Sequence, residues 1–377
     1  MKLDGNEIHL IGHPFSALGM SEHVRSSFRA LSSLGISPHV FDIFKLSNPQ
    51  EKDLIGFHEV RNQIFNNNSK IDIFHINGDE VADTLDSLKK QKKRLAYKII
   101  YPAWELPNYP QQWATELDKF DEIWAPSKFI ETALKAACTK PVLQMPLACE
   151  AKIKHFLAPK YFGLPESKYK FLFFYDLRSY TARKNPQAVL QAFKQTLKTT
   201  TLYKPYLVLK LNGAQENLEH RAELLDLADD FKENITIIDR VMSDNEIKNL
   251  INCCECFISL HRSEGFGRGI AEAMYLGKPV IATGWSGNLD FMQKNNSLSV
   301  EFNMVKLEPG AYPHWEGQFW ADPDIEQAAS LMVKLLNNPE FGRNLGRKAR
   351  IHMVGEFSYR AIGLNYYQRL CQLFKNI

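Results

Sequence analysis

The chain has 377 residues, of which 45% are hydrophobic and 24% charged, and its formal net charge is +3 at pH 7. This length predicts two domains of roughly 150–200 residues, and the composition is that of a folded protein. So small a net charge argues against a nucleic-acid partner, and no apolar run approaches the roughly 20 residues of a membrane span. Because the N-terminus is polar where a signal peptide needs an apolar core, we expect a cytoplasmic protein with free, mostly buried cysteines.

The first half of the chain alternates apolar strands with helical patterns, and polar groups follow several of the strands. A glycine-bearing loop, residues 12–20, follows the strand at 8–11, and Arg25 on the next helix fits a surface position and a phosphate contact equally well. Further strands are predicted at 39–43, 71–76, 95–100, 120–125 and 141–147. Asn77, Asp79 and Glu80 come directly after one of these strands, where side chains are well placed to contact a ligand. His75 lies inside that strand, and we expect it in the core.

Two segments of this half suit other contacts. Tyr101–Pro107 is rich in aromatic residues and proline, and Trp104 and Glu105 suit stacking on, and hydrogen bonding to, a sugar. The basic run Lys89–Arg94 fits a solvated helix end, and it also fits contact with anionic lipid.

The second half restarts the alternation after a turn-rich stretch, Ala158–Lys168, which is the predicted linker. Strands are predicted at 171–176, 206–211, 235–238, 257–260 and 280–283, followed by an irregular aromatic stretch and two helices. Arg178, Arg183 and Lys184 lie between the first of these strands and a helix that begins at Pro186. Basic side chains beside a helix N-terminus suit a diphosphate.

One stretch of this half, Phe257–Met292, has the clearest chemistry. A strand leads into a loop with Gly265 and Gly267, whose backbone can approach a phosphate closely, and the loop opens a helix. Glu264 in the loop can accept hydrogen bonds from sugar hydroxyls. Glu272 is predicted to lie off the core-facing stripe of the helix, either as a solvated glutamate or as a ribose ligand.

Two runs of alternating strands and helices predict an α/β fold with two doubly wound domains. The segment SEGFGRGIAEAMYLGKPVIAT resembles the donor-sugar motif of retaining family 4 glycosyltransferases, which have the GT-B fold. GHPFSALGMSEHVR, YPAWELPNYPQQW and RKNPQAVLQAF resemble other loops of that family, especially in bacterial enzymes that build O-antigen and other surface polysaccharides. The resemblance implies an N-terminal domain at 1–160, a nucleotide-sugar domain at 168–355, a cleft between them, and a helix at 356–377 that crosses back to the first domain.

The resemblance also implies roles for single residues. Glu264 binds the donor sugar, the amides of Gly265, Phe266 and Gly267 hold sugar and phosphate, Glu272 binds the ribose, and Lys184 neutralises the leaving diphosphate. Ser179 stands where the family has an arginine, so Arg178 or Arg183 takes that part. The remaining expected contacts are Gly19, Lys210 and Arg240 for the donor, and Trp104, Glu105, Asn77 and Arg25 for the acceptor.

The implied reaction moves a hexose from a nucleotide-diphosphate sugar to a saccharide that is lipid-linked at the inner face of the membrane. GDP-mannose is the first choice of donor and UDP-sugars are the second. No cofactor and no metal are expected, since Asp322–Asp324 is better explained as a helix start than as a metal motif. Two other functions fit the same fold: a nucleotide-sugar epimerase, and a catalytically weak sugar-nucleotide-binding partner of a larger assembly.

Overall fold

The computed structural model describes residues 3–16, 19–43, 67–91, 93, 95–213 and 217–376. The chain divides into two compact units. Unit 1 comprises Met1–Glu150 together with Val354–Ile377, and unit 2 comprises Ala151–Met353.

Unit 1 contains a six-stranded parallel sheet with the strand order β2-β1-β3-β4-β5-β6. Its strands are β1 (Ile8–Gly12), β2 (His39–Asp42), β3 (Ile71–His75), β4 (Tyr97–Ile100), β5 (Glu122–Ala125) and β6 (Val142–Gln144). Its helices are α1 (Gly19–Ser32), α2 (Val81–Lys90), α3 (Gln111–Leu117), α4 (Lys128–Ala137) and, from the end of the chain, α12 (Tyr359–Phe374). β1 and β3 are buried along their whole length, as expected for inner strands of a parallel sheet.

Unit 2 contains a second six-stranded parallel sheet, with the order β12-β11-β10-β7-β8-β9, and an antiparallel pair, β13 and β14. The strands are β7 (Tyr169–Asp176), β8 (Pro205–Asn212), β9 (Ile235–Ile238), β10 (Cys256–Ser259), β11 (Val280–Thr283), β12 (Leu298–Val300), β13 (Phe302–Lys306) and β14 (Phe319–Pro323). The helices are α5 (Thr181–Lys184), α6 (Pro186–Thr196), α7 (Leu218–Ala228), α8 (Asp244–Cys253), α9 (Arg268–Tyr275), α10 (Ile325–Asn337) and α11 (Pro339–Glu356).

The strand order positions the candidate sites. In each sheet the order reverses at one point, between β1 and β3 in unit 1 and between β7 and β10 in unit 2. Loops that leave adjacent parallel strands in opposite directions open a crevice at the carboxyl ends, and ligands of doubly wound sheets bind there. The two parallel-sheet α/β units confirm the predicted fold class.

The C-terminal helix returns to unit 1 and packs on α1. A Cβ added to Gly363 would lie 2.3 Å from the carbonyl oxygen of Ala30, so the two helix backbones are in direct contact. Arg369 of α12 pairs with the fully buried Glu122, and the Tyr366 hydroxyl donates to the carbonyl of Pro146 at 3.0 Å.

Two expectations about organisation differ from the structure. The units divide after Glu150, and the predicted linker Ala158–Lys168 lies inside unit 2, because polar contacts bind this region to α8. The Tyr161 hydroxyl donates to Glu246 at 2.8 Å, and the amide of Leu157 donates to Asn249 at 2.8 Å. Three helices, α10 to α12, follow the irregular aromatic stretch, where two were predicted, because the pattern from 325 to 356 breaks at Asn338–Pro339.

Three further observations bear on the expectations. None of the six cysteines, all of which lie in the described ranges, forms a disulfide bond, and four of them are buried. Asp324 caps α10 by accepting from the amide of Gln327 at 2.9 Å and so begins a helix as predicted, whereas Asp322 lies in β14 and pairs with Arg262. Among the helices in the described part of the chain, none is long and apolar enough to cross a membrane.

Candidate functional site

The predicted strand–loop–helix–strand unit is present in unit 2 as β10, the loop 260–267, α9 and β11. Gly267 precedes α9 with a φ of +89°, a conformation that glycine adopts without strain. A second glycine is needed where the loop after β11 meets the first loop. A Cβ on Gly287 would lie 2.0 Å from the carbonyl oxygen of Gly265, and the Gly287 amide donates to the Glu264 carbonyl at 2.8 Å. The two loops therefore touch backbone to backbone.

Side chains beneath the loops fix them further. Buried His261 contacts Ser259 Oγ through Nδ1 at 3.0 Å and Asn288 Oδ1 through Nε2 at 3.1 Å. Ser286 Oγ accepts from the amide of Glu264 at 2.9 Å. His261 and Ser286 were not predicted, because only the folded loops bring them together. This network sets the backbone position of Glu264.

Glu264 lies against the two consecutive basic residues Arg183 and Lys184. Lys184 Nζ donates to Glu264 Oε1, and Arg183 Nη1 lies 3.4 Å from Oε2. Arg183 is buried, its Nη1 also donates to the carbonyl of Ser263 at 3.0 Å, and its own carbonyl accepts from the amide of Arg262 at 2.8 Å. The loops after β7 and β10, on either side of the sheet's reversal point, are thus joined through this cluster.

The cluster keeps its carboxylate ionised. Burial by itself raises the pKa of Glu264, but the charges of Lys184 and Arg183 outweigh burial and hold this pKa at about 2. Glu264 is therefore an anion at neutral pH. Such a group can accept hydrogen bonds from hydroxyls, but it is a very weak base.

The turn that carries Arg183 and Lys184 has unusual backbone geometry. Tyr180 and Asn185 have φ angles of 56° and 52°, in the left-handed region that bulky residues rarely adopt. Between them lies the single helical turn α5, and α6 begins directly afterwards at Pro186. Conformations of this kind cost free energy and cluster at functional sites.

The sequence did not decide whether Arg178 or Arg183 replaces the family arginine, and the structure places the two in different contacts. Arg183 joins the Glu264 cluster. Arg178 pairs with Asp176 through Nε at 2.9 Å and Nη2 at 2.7 Å, and half of its side chain is exposed. Arg183 is therefore the arginine that the fold places beside Lys184.

Two further basic residues expected at the donor are held in other contacts. Lys210 is buried near the end of β8, where Nζ donates to the carbonyl of Leu211, and burial lowers its pKa to about 8. Arg240 pairs with Glu246 at 2.6 Å and lies over the ring of Tyr161. Both are in unit 2, but the structure does not bring them to Glu264 by these contacts.

Of the two predictions for Glu272, the one that makes it a solvated glutamate on the side of α9 away from the core-facing stripe is wrong. Glu272 is 5% exposed, since α8 covers that side of the helix and presents Lys248 to it. Lys248 Nζ lies 2.8 Å from Oε2, and Arg268 Nη2 donates to Oε1 at 2.6 Å. Lys248 was missed because the helical period predicts the faces of one helix and not which helix packs against it.

Phe266 contributes only its backbone to the predicted donor loop. Its ring is 5% exposed and packs on Phe291, with centroids 5.2 Å apart. The ring therefore anchors the loop to the core.

In unit 1, the residues expected to contact an acceptor mainly hold loops. Asn77 Oδ1 accepts from the amide of Ala103 at 3.0 Å, which joins the loops after β3 and β4. Arg25 donates to the carbonyls of Pro14 and Ser16, at 2.8 and 3.1 Å, and so braces the loop after β1. Gly19, which was expected to contact the donor, is the first residue of α1, and residues 17 and 18 of its loop lie outside the described residues.

Trp104 does not offer the stacking face expected from the sequence. Its side chain is buried, at 2% exposure, because the loop after β4 folds back and the indole N–H donates to the carbonyl of Asn108 at 3.0 Å. The rings of Tyr109 and Trp113 pack edgewise on it. Glu105 beside it is half-buried.

A pair in unit 1 was not predicted although a signal for it existed. His13 Nε2 lies 2.6 Å from Glu80 Oε1. The two residues follow β1 and β3, the strands on either side of the reversal point of this sheet. Polar residues just beyond adjacent parallel strands meet at one edge, so the strand prediction contained this information.

The described residues include no group of three or more His, Cys, Asp or Glu side chains arranged to hold a metal ion. The candidate site of unit 2 is a carboxylate flanked by two cations, at the reversal point of a parallel sheet. Together with the two α/β units, this defines the class of GT-B proteins.

The chain belongs to the family described as glycosyl transferases group 1, whose model matches residues 159–352, half of the chain. It is 25% identical over 205 residues to the alpha-1,3/1,6-mannosyltransferase ALG2 of Dictyostelium discoideum, an alignment that covers 51% of this chain and 44% of that protein. Human ALG2 is 25% identical over 160 residues, which cover 42% of this chain and 33% of the relative. The chain thus aligns with less than half the length of these curated relatives.

Solved structures match over nearly the whole chain. Sucrose-phosphate synthase from Thermosynechococcus elongatus has a TM-score of 0.71 at 16% identity, covering 99% of this chain and 100% of that one. HepE of Anabaena in complex with UDP-glucose has a TM-score of 0.70 at 12% identity, covering 97% and 99%. A glycosyltransferase from Rickettsia africae has a TM-score of 0.71 at 15% identity, covering 99% and 100%. At these identities the likeness shows the fold alone.

Proposed function

We propose that the protein transfers a hexosyl group from a nucleoside diphosphate sugar to a saccharide acceptor, with retention at the anomeric carbon. The observation that carries the proposal is the contact of Lys184 and Arg183 with Glu264 at the reversal point of the unit 2 sheet. Membership in the glycosyl transferases group 1 family supports it.

The charges of the cluster suit the departure of a diphosphate. The bond between the sugar's anomeric carbon and the phosphate oxygen breaks with its electron pair on the phosphate, whose new charge Lys184 and Arg183 neutralise. The acceptor hydroxyl bonds to the anomeric carbon on the same face, and its proton leaves with the diphosphate. Positioned cations of this kind supply most of the catalysis in such transfers. In this proposal the two side chains take the part of a metal, so we expect transfer to persist in the presence of a chelator.

Glu264 has a binding role in this proposal. As an anion flanked by cations it accepts hydrogen bonds from sugar hydroxyls, and its low pKa makes it unsuited to act as a general base. Glu272, on α9, accepts from the ribose hydroxyls of the donor.

We propose mannose, from GDP-mannose, as the transferred sugar. The names of the aligned ALG2 relatives support this choice, while the UDP-glucose bound by HepE makes UDP-glucose the main competitor. We also propose a lipid-linked saccharide as the acceptor, in the synthesis of a surface polysaccharide. The support is the basic end of α2, where Lys89 and Lys90 are exposed; Lys92 and Arg94 of the same run lie outside the described residues.

The test is an assay of nucleoside diphosphate release from GDP-mannose, UDP-glucose and related donors, with and without polyprenyl-diphosphate-linked and free oligosaccharides. We expect one donor to be consumed in an acceptor-dependent way, with a product of retained configuration. Glu264→Gln keeps the shape of the side chain but removes its charge, and we expect kcat/KM to fall at least about 100-fold.

Lys232→Met is the matched control for general loss of charge, because Lys232 forms an exposed pair with Asp229 in the same unit. It is expected to leave the rate unchanged. Recovery of an epimerised donor without transfer would favour the epimerase alternative. Full activity of Glu264→Gln, or binding of a nucleotide sugar without turnover on any acceptor, would contradict the proposal.

A further inference from the structure

A buried lysine of unit 2 has no part in the function described so far. Lys248, on α8, is 4% exposed, and lysine is almost never fully buried unless it is paired. Its Nζ lies 2.8 Å from Glu272 Oε2 and 2.9 Å from Asp244 Oδ1. Asp244 lies one turn earlier on the same helix and is half-exposed, whereas Glu272 belongs to α9 and is buried.

The lysine stays charged despite its burial. Burial by itself lowers the pKa of Lys248, but the charges of Glu272 and Asp244 outweigh it and raise that pKa above its ordinary value. A buried ion pair is a poor device for stability alone, since apolar residues of similar volume do as well or better. The presence of this pair therefore calls for another explanation.

The geometry of Glu272 provides one. Its two oxygens have different partners: Lys248 contacts Oε2, and Arg268, one turn earlier on α9, donates to Oε1. Two ion pairs on opposite oxygens fix the plane of the carboxylate. A carboxylate accepts about four hydrogen bonds, so each oxygen keeps capacity for one more. Two adjacent acceptors in a fixed plane match the two neighbouring hydroxyls of a ribose.

We propose that Lys248 is a positioning residue that sets the Glu272 carboxylate for the ribose diol and so makes the site selective for ribonucleotide over deoxyribonucleotide donors. This inference rests on the ribose-binding role of Glu272 in the proposed function. Lys248 contributes more than Arg268 to holding the Glu272 carboxylate in position, because Arg268 is 29% exposed and water screens its ion pair with Glu272.

The experiment compares the dissociation constants of GDP and UDP with those of their 2′-deoxy analogues, by calorimetry on the full chain. In the wild type we expect the ribonucleotide to bind at least about tenfold more tightly, as a hydrogen bond to a charged group contributes. In Lys248→Met, the ratio of the deoxyribonucleotide to the ribonucleotide dissociation constant is expected to fall to within about threefold of unity. In Arg268→Met we expect a smaller fall in this ratio.

Lys278→Met is the matched control. Lys278 is a partly buried lysine of unit 2, and its Nζ donates to the carbonyl of Asn252 at 2.6 Å. This variant is expected to keep the wild-type ratio. Should Lys248→Met fail to fold, Lys248→Arg keeps the charge but alters its reach, and we expect it to lower the ratio as well.

Two results would overturn the inference, and they differ in meaning. If Lys248→Met lowers the melting temperature but keeps the wild-type ratio, the pair is only structural. If the wild type and Glu272→Gln both bind ribo- and deoxyribonucleotides equally, Glu272 is no ribose ligand, and that part of the proposed function fails with the inference. Donor turnover that is lost in Glu264→Gln would still support glycosyl transfer in that case.

Discussion

The ionisation of one side chain, Glu264, depends on Arg183 and Lys184, the second of which is 80 positions away in sequence. Because its pKa in the folded state is about 2 and the ordinary value is 4.5, its ion pairs stabilise the protein above pH 4.5. That stabilisation is lost as the pH falls from about 4.5 to 2.

We predict that Lys184→Met raises the pKa of Glu264, since burial opposes its charge and the variant loses the strongest of the charges that favour it. The free energy of unfolding is therefore expected to begin its acid decline at a higher pH than in the wild type. Chemical denaturation between pH 2 and 6 measures this. Lys232→Met removes an exposed pair and is expected to leave the profile unchanged; identical profiles for Lys184→Met and the wild type would contradict the prediction.

In unit 1, a buried histidine also makes stability fall as the pH is lowered, but closer to neutral pH. His75 is fully buried beside His23, with the two Nδ1 atoms 3.2 Å apart, and Tyr101 packs on both rings. Burial lowers the pKa of His75 to about 3. The folded state therefore holds His75 neutral, while the unfolded chain takes up a proton below pH 6.5.

We predict that unit 1 loses about 2 kcal/mol of stability between pH 6.5 and 4.5 through His75. His75→Gln removes this titration, so its stability should fall less over the same interval, although its stability at pH 7 is expected to be lower. Hydrogen exchange of unit 1 peptides at the two pH values makes the comparison. An equal decline in the variant would assign the pH dependence to other groups.

Among the elements, α12 shows how closely two helices approach within unit 1. A Cβ on Gly363 would meet the carbonyl oxygen of Ala30 at 2.3 Å, whereas a Cβ on Gly355, near the end of α11, would have no neighbour within 4 Å. Both glycines lie in helices, and the sequence by itself does not distinguish their surroundings.

The two glycines therefore form a matched pair for substitution. Gly363→Ala is expected to lower the stability of unit 1 by at least about 2 kcal/mol, because backbone must shift to admit the methyl group. Gly355→Ala is expected to raise it by up to about 1 kcal/mol, the helix propensity difference. Thermal unfolding of both variants provides the measurement, and equal effects would mean that α12 does not pack on α1 as described.

For the molecule as a whole, unit 1 is built from two segments that lie at opposite ends of the chain. The last 24 residues belong with the first 150, and Arg369 near the end compensates the buried charge of Glu122. Removing one partner of a buried ion pair leaves an uncompensated charge and costs about 3–5 kcal/mol.

We predict that deletion of residues 357–377 destabilises unit 1 and leaves unit 2 intact. Hydrogen exchange should show loss of protection in β1, β4 and β5 and unchanged protection in β7, β8 and β10. Deletion of residues 375–377 alone is the control and is expected to change neither unit. Equal loss of protection in both units would show that α12 supports the whole chain.

The strands and several caps were accessible from sequence because their signals are local. β9 and β11 were predicted to the residue, and Asp324 caps α10 where a helix start was predicted. The Ser-x-x-Glu pattern at 243–246, a local signal of the same kind, forms a capping box at the start of α8. Apolar runs, prolines and N-cap residues act within a few positions of themselves. The fold class followed, since alternating strands and helices allow few arrangements.

The chemistry of the candidate site was only partly accessible. The sequence indicated Glu264, Lys184 and a nearby arginine by their places in polar loops after strands and by the family resemblance. The strand order was needed to join β7 to β10 and to place Arg183 in the cluster in preference to Arg178. Glu272 became a buried, doubly paired carboxylate, and Trp104 a core side chain, for one physical reason. Burial depends on which element packs against a face, and that choice is made by the whole fold and not by the period of one segment.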